Sequence, residues 1–294
     1  MWNAIAAHIS QVTGQPFTLE KRQSVGGGCI NQGYQLQGAG QTYFVKLNQA
    51  SQVAMFSAEA LGLQQIAQTQ TIQVPKPIGY GVSEHSCYLV LTWCEFGRGT
   101  QTTWEQMGRD LAALHLQSQG DRFGWSQNNT IGSTPQFNPW TNTWADFFAD
   151  HRIGYQLQLA QRRGGHFPQA ERFIETLRQF LRDRQPQPAL VHGDLWSGNA
   201  SFLTNGKPVI FDPACYYGDP EVDLAMTELF GGFPPAFYQG YQAVNPLEAG
   251  YQQRKNLYNL YHILNHFNLF GGGYSVHYWH FNIHQYQIEV FAAA

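Results

Sequence analysis

Asp194, Asn199 and Asp212 are the side chains of this 294-residue chain whose types and spacing best suit chemistry. The first two lie in Val191-His192-Gly193-Asp194-Leu195-Trp196-Ser197-Gly198-Asn199, and the third ends Val209-Ile210-Phe211-Asp212. A carboxylate at 194 can accept the proton of an attacking hydroxyl. Asn199 and Asp212 can hold Mg²⁺, a hard cation that takes few oxygen ligands from protein and the rest from phosphates and water. The step from Asp194 to Asn199 fits D-x-x-x-x-N. Phosphoryl-transfer loops use that spacing to set a base and a metal-binding amide, with a second Asp at a later strand end. Singly these signals mean little, since His-Gly-Asp is common and an Asp after an apolar strand is often a turn residue or cap. Together they point to a phosphotransferase.

Local elements must position this set. Ala189-Leu190-Val191 reads as a buried strand that delivers the loop. Ala200 to Leu203, a turn at Asn205-Gly206, and Pro208 to Phe211 read as a two-stranded ribbon ending at Asp212. Asp219-Pro220 suits the start of a helix, with Asp219 as cap. Asp223 then falls one turn inside among apolar residues. It needs hydrogen-bond donors there, and the catalytic-loop backbone is the obvious source, which makes Asp223 a support of that loop.

Upstream, a helix over Ala4 to Val12 and a strand over Phe17 to Val25 precede Gly26-Gly27-Gly28-Cys29-Ile30-Asn31. A glycine-rich turn between strands lets backbone N–H groups approach phosphates. It is neither a Walker A loop nor G-x-G-x-x-G, and alone it suits a plain hairpin. A second hairpin, Gly33 to Gln37 and Thr42 to Leu47, carries Lys46 among apolar neighbours, where an ammonium needs an anionic partner. Residues 51 to 68 show helical apolar spacing at Phe56, Ala60, Leu63 and Ala67, with Glu59 beside that face. In kinases a strand lysine binds phosphates and pairs with a helix glutamate. Lys46 and Glu59 are assigned those roles. Cys29 is either a thiol open to oxidation near Lys46 or a small residue that fills the loop.

Ile78 to Val82 and Cys87 to Thr92 read as a further strand pair. Trp93-Cys94-Glu95-Phe96-Gly97-Arg98-Gly99 turns polar and glycine-rich, and reads as a hinge whose backbone would meet an adenine edge. Beyond it the pattern is helical over 103 to 118, 141 to 161, 168 to 184 and 234 to 290. The irregular stretch Gly120 to Pro139 is long for a compact domain and is expected near the substrate. Arg162-Arg163 and the run Arg178, Arg182, Arg184 read as solvated helix ends. His262, His266, His277, His280 and His284 lack a metal motif and read as core or surface residues.

Composition narrows the classes. A net charge of -3 argues against a nucleic-acid grip built on a basic surface. No apolar run approaches a membrane span, and the start lacks signal-peptide shape. Cys29, Cys87, Cys94 and Cys215 show no zinc spacing, which suits a reducing, cytoplasmic setting.

Gly27 through Asn31, the loop Asn129 to Gln136, His192 through Asn199 and Phe211 through Phe233 carry a resemblance across nearly the whole chain. The most specific parts are Cys215-Tyr216-Tyr217-Gly218-Asp219 and Glu228-Leu229-Phe230-Gly231-Gly232-Phe233. The chain resembles the fructosamine-3-kinase/ketosamine-3-kinase family, in the aminoglycoside phosphotransferase branch of the protein-kinase-like fold. The catalytic positions show no departure, and the marks weaken after about residue 245. The resemblance implies an α+β, two-lobed protein-kinase-like fold, with a small antiparallel-sheet N-lobe and a mainly helical C-lobe. Residues 1–95 would be the nucleotide-binding lobe and 96–294 the catalytic and substrate lobe. It implies ATP and Mg²⁺ as cofactors and phosphorylation of the C3 hydroxyl of a ketoamine, free or protein-bound, in deglycation or protein repair. Asp194 would be the base, and Asn199 and Asp212 the metal ligands. Gly26, Gly27, Gly28, Cys29, Ile30, Asn31, Lys46, Glu59, Trp93 and Glu95 would face the nucleotide. Trp196 would lie under the sugar or pack beneath the loop, with His192 and Asp223 as supports. The expected partners exclude nucleic acid and membrane, and the chain would be a monomer or homodimer. A kinase of the aminoglycoside or choline type and a nucleotide-binding regulator without turnover are the alternatives.

Overall fold

A computed structural model describes residues 1–26 and 30–271. The expectations for Gly27, Gly28, Cys29, His277, His280 and His284 lie outside the described residues. In chain order the elements are α1 (Trp2–Thr13), β1 (Lys21–Val25), β2 (Gln32–Gly38), β3 (Gln41–Gln49), α2 (Val53–Gln68), β4 (Pro77–Ser83), β5 (Ser86–Thr92) and α3 (Gln101–Gln117). Next come β6 (Asn129–Ile131), β7 (Thr134–Gln136), α4 (Trp144–Phe148), a π-helical turn (Ala149–Gly154), α5 (Tyr155–Arg162) and α6 (Ala170–Leu181). The chain continues through β8 (Ala189–Val191), β9 (Ala200–Phe202), β10 (Pro208–Ile210), β11 (Tyr216–Gly218), α7 (Glu221–Leu229), α8 (Pro235–Val244) and α9 (Tyr251–Phe270). It divides into two compact units: Met1–Leu114 with Gly198–Ala214 and Pro234–Val244, and His115–Ser197 with Cys215–Phe233 and the chain from Asn245.

The first unit is built on an antiparallel sheet in the order β1-β2-β3-β5-β4. Ala39 and Gly40 join β2 to β3 with φ of 49° and 72°, the paired positive values of a two-residue hairpin turn that follows the strand twist. Side chains alternate across the sheet. Tyr43, Val45 and Leu47 of β3 join Tyr88 and Val90 of β5 in packing on Ile5, Ala6 and Ile9 of α1. Phe44 turns to the other face with Leu89 and Leu91, against Phe56, Ala60 and Leu63 of α2. Lys46 shares that face by alternation, opposite Leu89. The strand expected from Phe17 begins only at Lys21, because Phe17 packs into the α1 core and its N–H bonds the Ser10 hydroxyl instead of a strand. In the same unit α8 lies hard against α3. A Cβ on Gly108 would come 2.0 Å from the Phe237 carbonyl, and one on Gly240 would come 1.9 Å from that of Glu105.

In the second unit β8 pairs antiparallel with β11, Val191 opposite Tyr216. The stretch from 120 to 139 is less irregular than its sequence suggests. It holds the β6–β7 hairpin, with Gly132 at φ 62° in the turn. The helix expected over 141 to 161 is interrupted by the π-helical turn, an irregularity found often at functional sites.

Candidate active site

Lys46 is clamped by two carboxylates within the first unit. Its Nζ donates to Glu59 Oε1 at 2.7 Å and to Asp212 Oδ1 at 2.6 Å. Strand alternation points Lys46 at α2, and helical spacing puts Glu59 among the buried residues of that helix. Burial alone would lower the lysine pKa, but the Asp212 and Glu59 charges outweigh it and hold the ammonium above its ordinary value. Burial also raises Glu59, and Lys46 offsets only part of that. Asp212 stands at φ 59°, a left-handed conformation uncommon outside glycine. Its side chain is 45% exposed, and Oδ2 accepts no hydrogen bond among the described residues. The Asn199 carbonyl accepts from Phe211 N at 3.0 Å, so Asn199 lies one rung from Asp212. An amide and an exposed carboxylate are hard oxygen donors, and such a sparse pair suits Mg²⁺, which keeps its waters and binds substrate phosphates.

The polar hinge segment is stitched to the β9–β10 ribbon in the same unit. Gly97 N donates to Phe202 O at 2.7 Å and Thr204 N to Glu95 O at 3.0 Å. Phe96 stacks on Phe211, the residue before Asp212, at 5.4 Å. Trp93 and Glu95 line a cavity of about 350 Å³ with Val74 and Leu203. Gly26 has open space where a Cβ would stand. Ile30 is 38% exposed, and Asn31 Oδ1 accepts from Asn48 Nδ2 at 2.7 Å.

In the second unit, β8 delivers His192, Gly193 and Asp194. Asp223 is fully buried at the start of α7, and its two oxygens accept the backbone N–H groups of His192 (2.7 Å) and Gly193 (2.8 Å). His115 Nε2 lies 3.1 Å from Asp223 Oδ2. Burial works to raise Asp223, but His115, His192 and the Gly193 N–H together hold it below the ordinary carboxylate range. Gly193 has φ 79°, which a residue with a side chain would adopt only under strain. Asp194 N meets His192 Nδ1 at 3.3 Å. Trp196 is 37% exposed and packs edge-on against Phe230 at 6.0 Å. A buried carboxylate thus fixes the backbone from which Asp194 projects, and an exposed indole follows two residues later.

The family model described as "Fructosamine kinase" matches residues 1–286. The chain belongs to the fructosamine kinase family. A Synechocystis sp. protein named "Probable ketoamine kinase" is 66% identical over 273 residues, covering 93% of this chain and 92% of that one. The chloroplastic protein-ribulosamine 3-kinase of Arabidopsis thaliana is 42% identical over 266 residues, 89% of this chain and 81% of that one. The crystal structure of a fructosamine-3-kinase family protein from Haemophilus somnus has a TM-score of 0.87 at 33% identity, covering 91% of this chain and 90% of that one. An aminoglycoside phosphotransferase in complex with ADP and hygromycin B, at 14% identity, still gives a TM-score of 0.64 over 99% of this chain and 100% of that one, a likeness of fold alone. The fold is the α+β protein-kinase-like one, and the enzyme is a kinase that transfers phosphate to a hydroxyl.

This fructosamine kinase family member also buries charges that its sequence does not single out. Arg184 is no solvated helix end. Its Nε and Nη2 grip Asp219 at 2.8 and 3.0 Å, and the same Asp219 accepts from the Tyr258 hydroxyl at 2.8 Å and from Glu221 N at 3.0 Å. Arg254 forks onto both oxygens of Glu221 at 2.7 Å. Asp219 stands one residue before Pro220, the N-cap of α7, and is the hub that seats this helix, which carries Asp223. Arg184 lies three residues past the end of α6, where its sequence context matches that of any exposed arginine. Only the fold supplies its partners.

Proposed function

We propose that this member of the fructosamine kinase family uses ATP with Mg²⁺ to phosphorylate the C3 hydroxyl of ketosamines, with ribulosamines and erythrulosamines ahead of fructosamines. The observation that carries the reading is the Lys46 clamp, an obligatorily charged lysine aimed by Glu59 at the carboxylate of Asp212. Phosphoryl transfer needs positioning and charge neutralisation more than covalent chemistry. MgATP supplies the phosphoryl group and part of the neutralising charge. Lys46 supplies a fixed positive charge for the nucleotide phosphates, with Gly26, Ile30, Asn31, Trp93 and Glu95 along the nucleotide. Asn199 and Asp212 hold the metal. Asp194 accepts the proton of the C3 hydroxyl as that oxygen attacks, and Trp196 offers an apolar face to the sugar or its adduct.

The names of the relatives support this choice of acceptor, ketoamine kinase at 66% identity and protein-ribulosamine 3-kinase at 42%. A C3 phosphate is a good leaving group. Once the ketoamine tautomerises to its 1,2-enaminol the phosphate is allylic and can be expelled, and hydrolysis frees the amine. Deglycation then follows from the phosphate ester alone. Among the described residues no helix is long and apolar enough to cross a membrane, and a cytoplasmic site of action is part of the proposal. The experiment offers ribulosyl-, erythrulosyl- and fructosyl-lysine with MgATP and follows ADP release, product mass and phosphate position by NMR. Turnover of an aminoglycoside, choline or a free sugar in place of all three would leave the kinase and remove the ketosamine.

A further inference from the structure

Strand β3 carries a second polar side chain on the Lys46 face, Asn48, which the roles above leave out. Period two puts Asn48 on the side of the sheet that holds Phe44 and Lys46. The β2–β3 register sets Gly33 opposite Lys46 and Gln32 opposite Leu47. One step further, just before β2 begins, Asn31 falls opposite Asn48. The two amides meet there, with Asn48 Nδ2 donating to Asn31 Oδ1 at 2.7 Å. Lys46 is then the diagonal neighbour of Asn31, roughly 7–8 Å away across the ladder. Gly33 adds no side chain to this face, where a Cβ would lie 2.9 Å from the Val25 carbonyl and 3.1 Å from the Phe44 ring.

The orientation of both amides follows from their donors and acceptors. An asparagine side chain has one carbonyl, which accepts, and one NH2, which donates twice. Asn48 Oδ1 lies 2.7 Å from the backbone N of Gln49. A backbone N–H can only donate, so that end of the Asn48 amide is its carbonyl. Its Nδ2 therefore faces Asn31, and Asn31 must answer with Oδ1. The Asn31 NH2 is left turned away from Asn48, and it has no acceptor among the described residues.

We propose that Asn48 is a positioning residue for the nucleotide: it holds the Asn31 amide with both N–H donors outward, to meet a phosphate of ATP beside Lys46. The proposal rests on the reading of Lys46 as the phosphate-binding lysine. The Lys46 charge is shared with Glu59 and Asp212. Two directed neutral donors add hydrogen bonds to an anion without burying another cation. By occupying the acceptor end of Asn31, Asn48 decides which end the phosphate meets. A carbonyl turned to the same phosphate would repel it.

The test titrates MgATP into the unaltered chain, Asn31→Ala, Asn48→Ala, Asn48→Asp and the Asn31→Ala/Asn48→Asp double variant, with thermal melts to establish folding. Asn31→Ala should raise Kd about tenfold, the lower end for a hydrogen bond to a charged group. Asn48→Ala lets the Asn31 amide take either orientation, so Kd should rise only about twofold. Asn48→Asp keeps the side-chain size and the bond from Gln49 N, but its other oxygen can only accept. Asn31 must then donate to it and send its own carbonyl outward. This closer replacement should therefore weaken MgATP about tenfold, more than Asn48→Ala does. In the Asn31→Ala background Asn48→Asp should add no more than about twofold. Adenosine, which has no phosphates, should bind every folded variant within about twofold of the unaltered chain.

MgATP binding in Asn48→Asp as tight as in Asn48→Ala would overturn the assignment. So would an Asn48→Asp loss that persists in full in the Asn31→Ala background, the mark of a charge acting through space. Parallel losses for adenosine would reduce both asparagines to a structural role and overturn it too. If Asn48→Asp does not fold, Asn31→Ala decides alone, and unchanged MgATP affinity there overturns the proposal. Failure of the unaltered chain to bind MgATP would overturn the nucleotide reading itself, and this assignment with it.

Discussion

Asp212 reaches Lys46 from a left-handed backbone, with Oδ1 2.6 Å from Nζ and φ at 59°. Aspartate and asparagine are the non-glycine residues that tolerate this conformation best. Asp212→Asn should therefore keep the local fold and lose only charge. Magnesium-dependent ATP affinity should drop by more than the ~10-fold typical of losing an outer-shell partner. Calorimetric titration with and without Mg²⁺ reads the difference, and an Asn variant that binds MgATP as tightly as the parent would remove Asp212 from the metal site.

The clamp itself makes a second prediction. Lys46→Met leaves Glu59 buried without a cation and should cost about 3–5 kcal/mol, the usual effect of breaking a buried pair on one side. Adding Glu59→Gln should restore much of that stability without restoring activity. Urea unfolding of the two single variants and the double variant measures the coupling. Simple additivity would mean that the pair does not act as a unit.

Asp194→Asn addresses the chemistry. Turnover should fall roughly 10²–10⁴-fold, the usual share of a general base. MgATP binding and thermal stability should be retained, since the backbone N–H groups of His192 and Gly193 are held by Asp223 and not by Asp194. Near-normal turnover in this variant would require another base.

A pH dependence of stability follows from α9. Burial, helped by His266, pushes the His262 imidazole from 6.5 down to about 3. As pH falls below 6.5 the unfolded chain takes the proton first, so the unfolded state binds more protons across this window. The stability that neutral His262 contributes is complete above 6.5 and is lost progressively as pH falls toward 3. His262→Leu should make the decline of Tm over that range shallower. His266, also held low by burial, retains part of the slope. An unchanged slope would show that His262 is not buried as a neutral group.

The sequence by itself determined what is local. The D-x-x-x-x-N step, the apolar run before His192, the alternation around Lys46 and the helical spacing around Glu59 each depend on residues within a few turns or strand positions of one another. Period two aims Lys46 at one sheet face, and period 3.6 turns Glu59 inward, so their 2.7 Å contact needed little more than the strand and helix being adjacent. The tertiary structure alone decided the long-range charge partners. Arg184 and Asp219, 35 residues apart, form a fork buried with Tyr258, yet the sequence around Arg184 looks like any solvated helix end. Arg152 sits in a stretch that reads as ordinary helix, and its cage of Phe147 and Tyr216 forms only when β11 is laid beside the π-helical turn. Propensity and periodicity are properties of neighbours along the chain. Whether a buried charge finds a carboxylate, a ring or a carbonyl depends on which distant segment packs against it, and no short window of sequence contains that information.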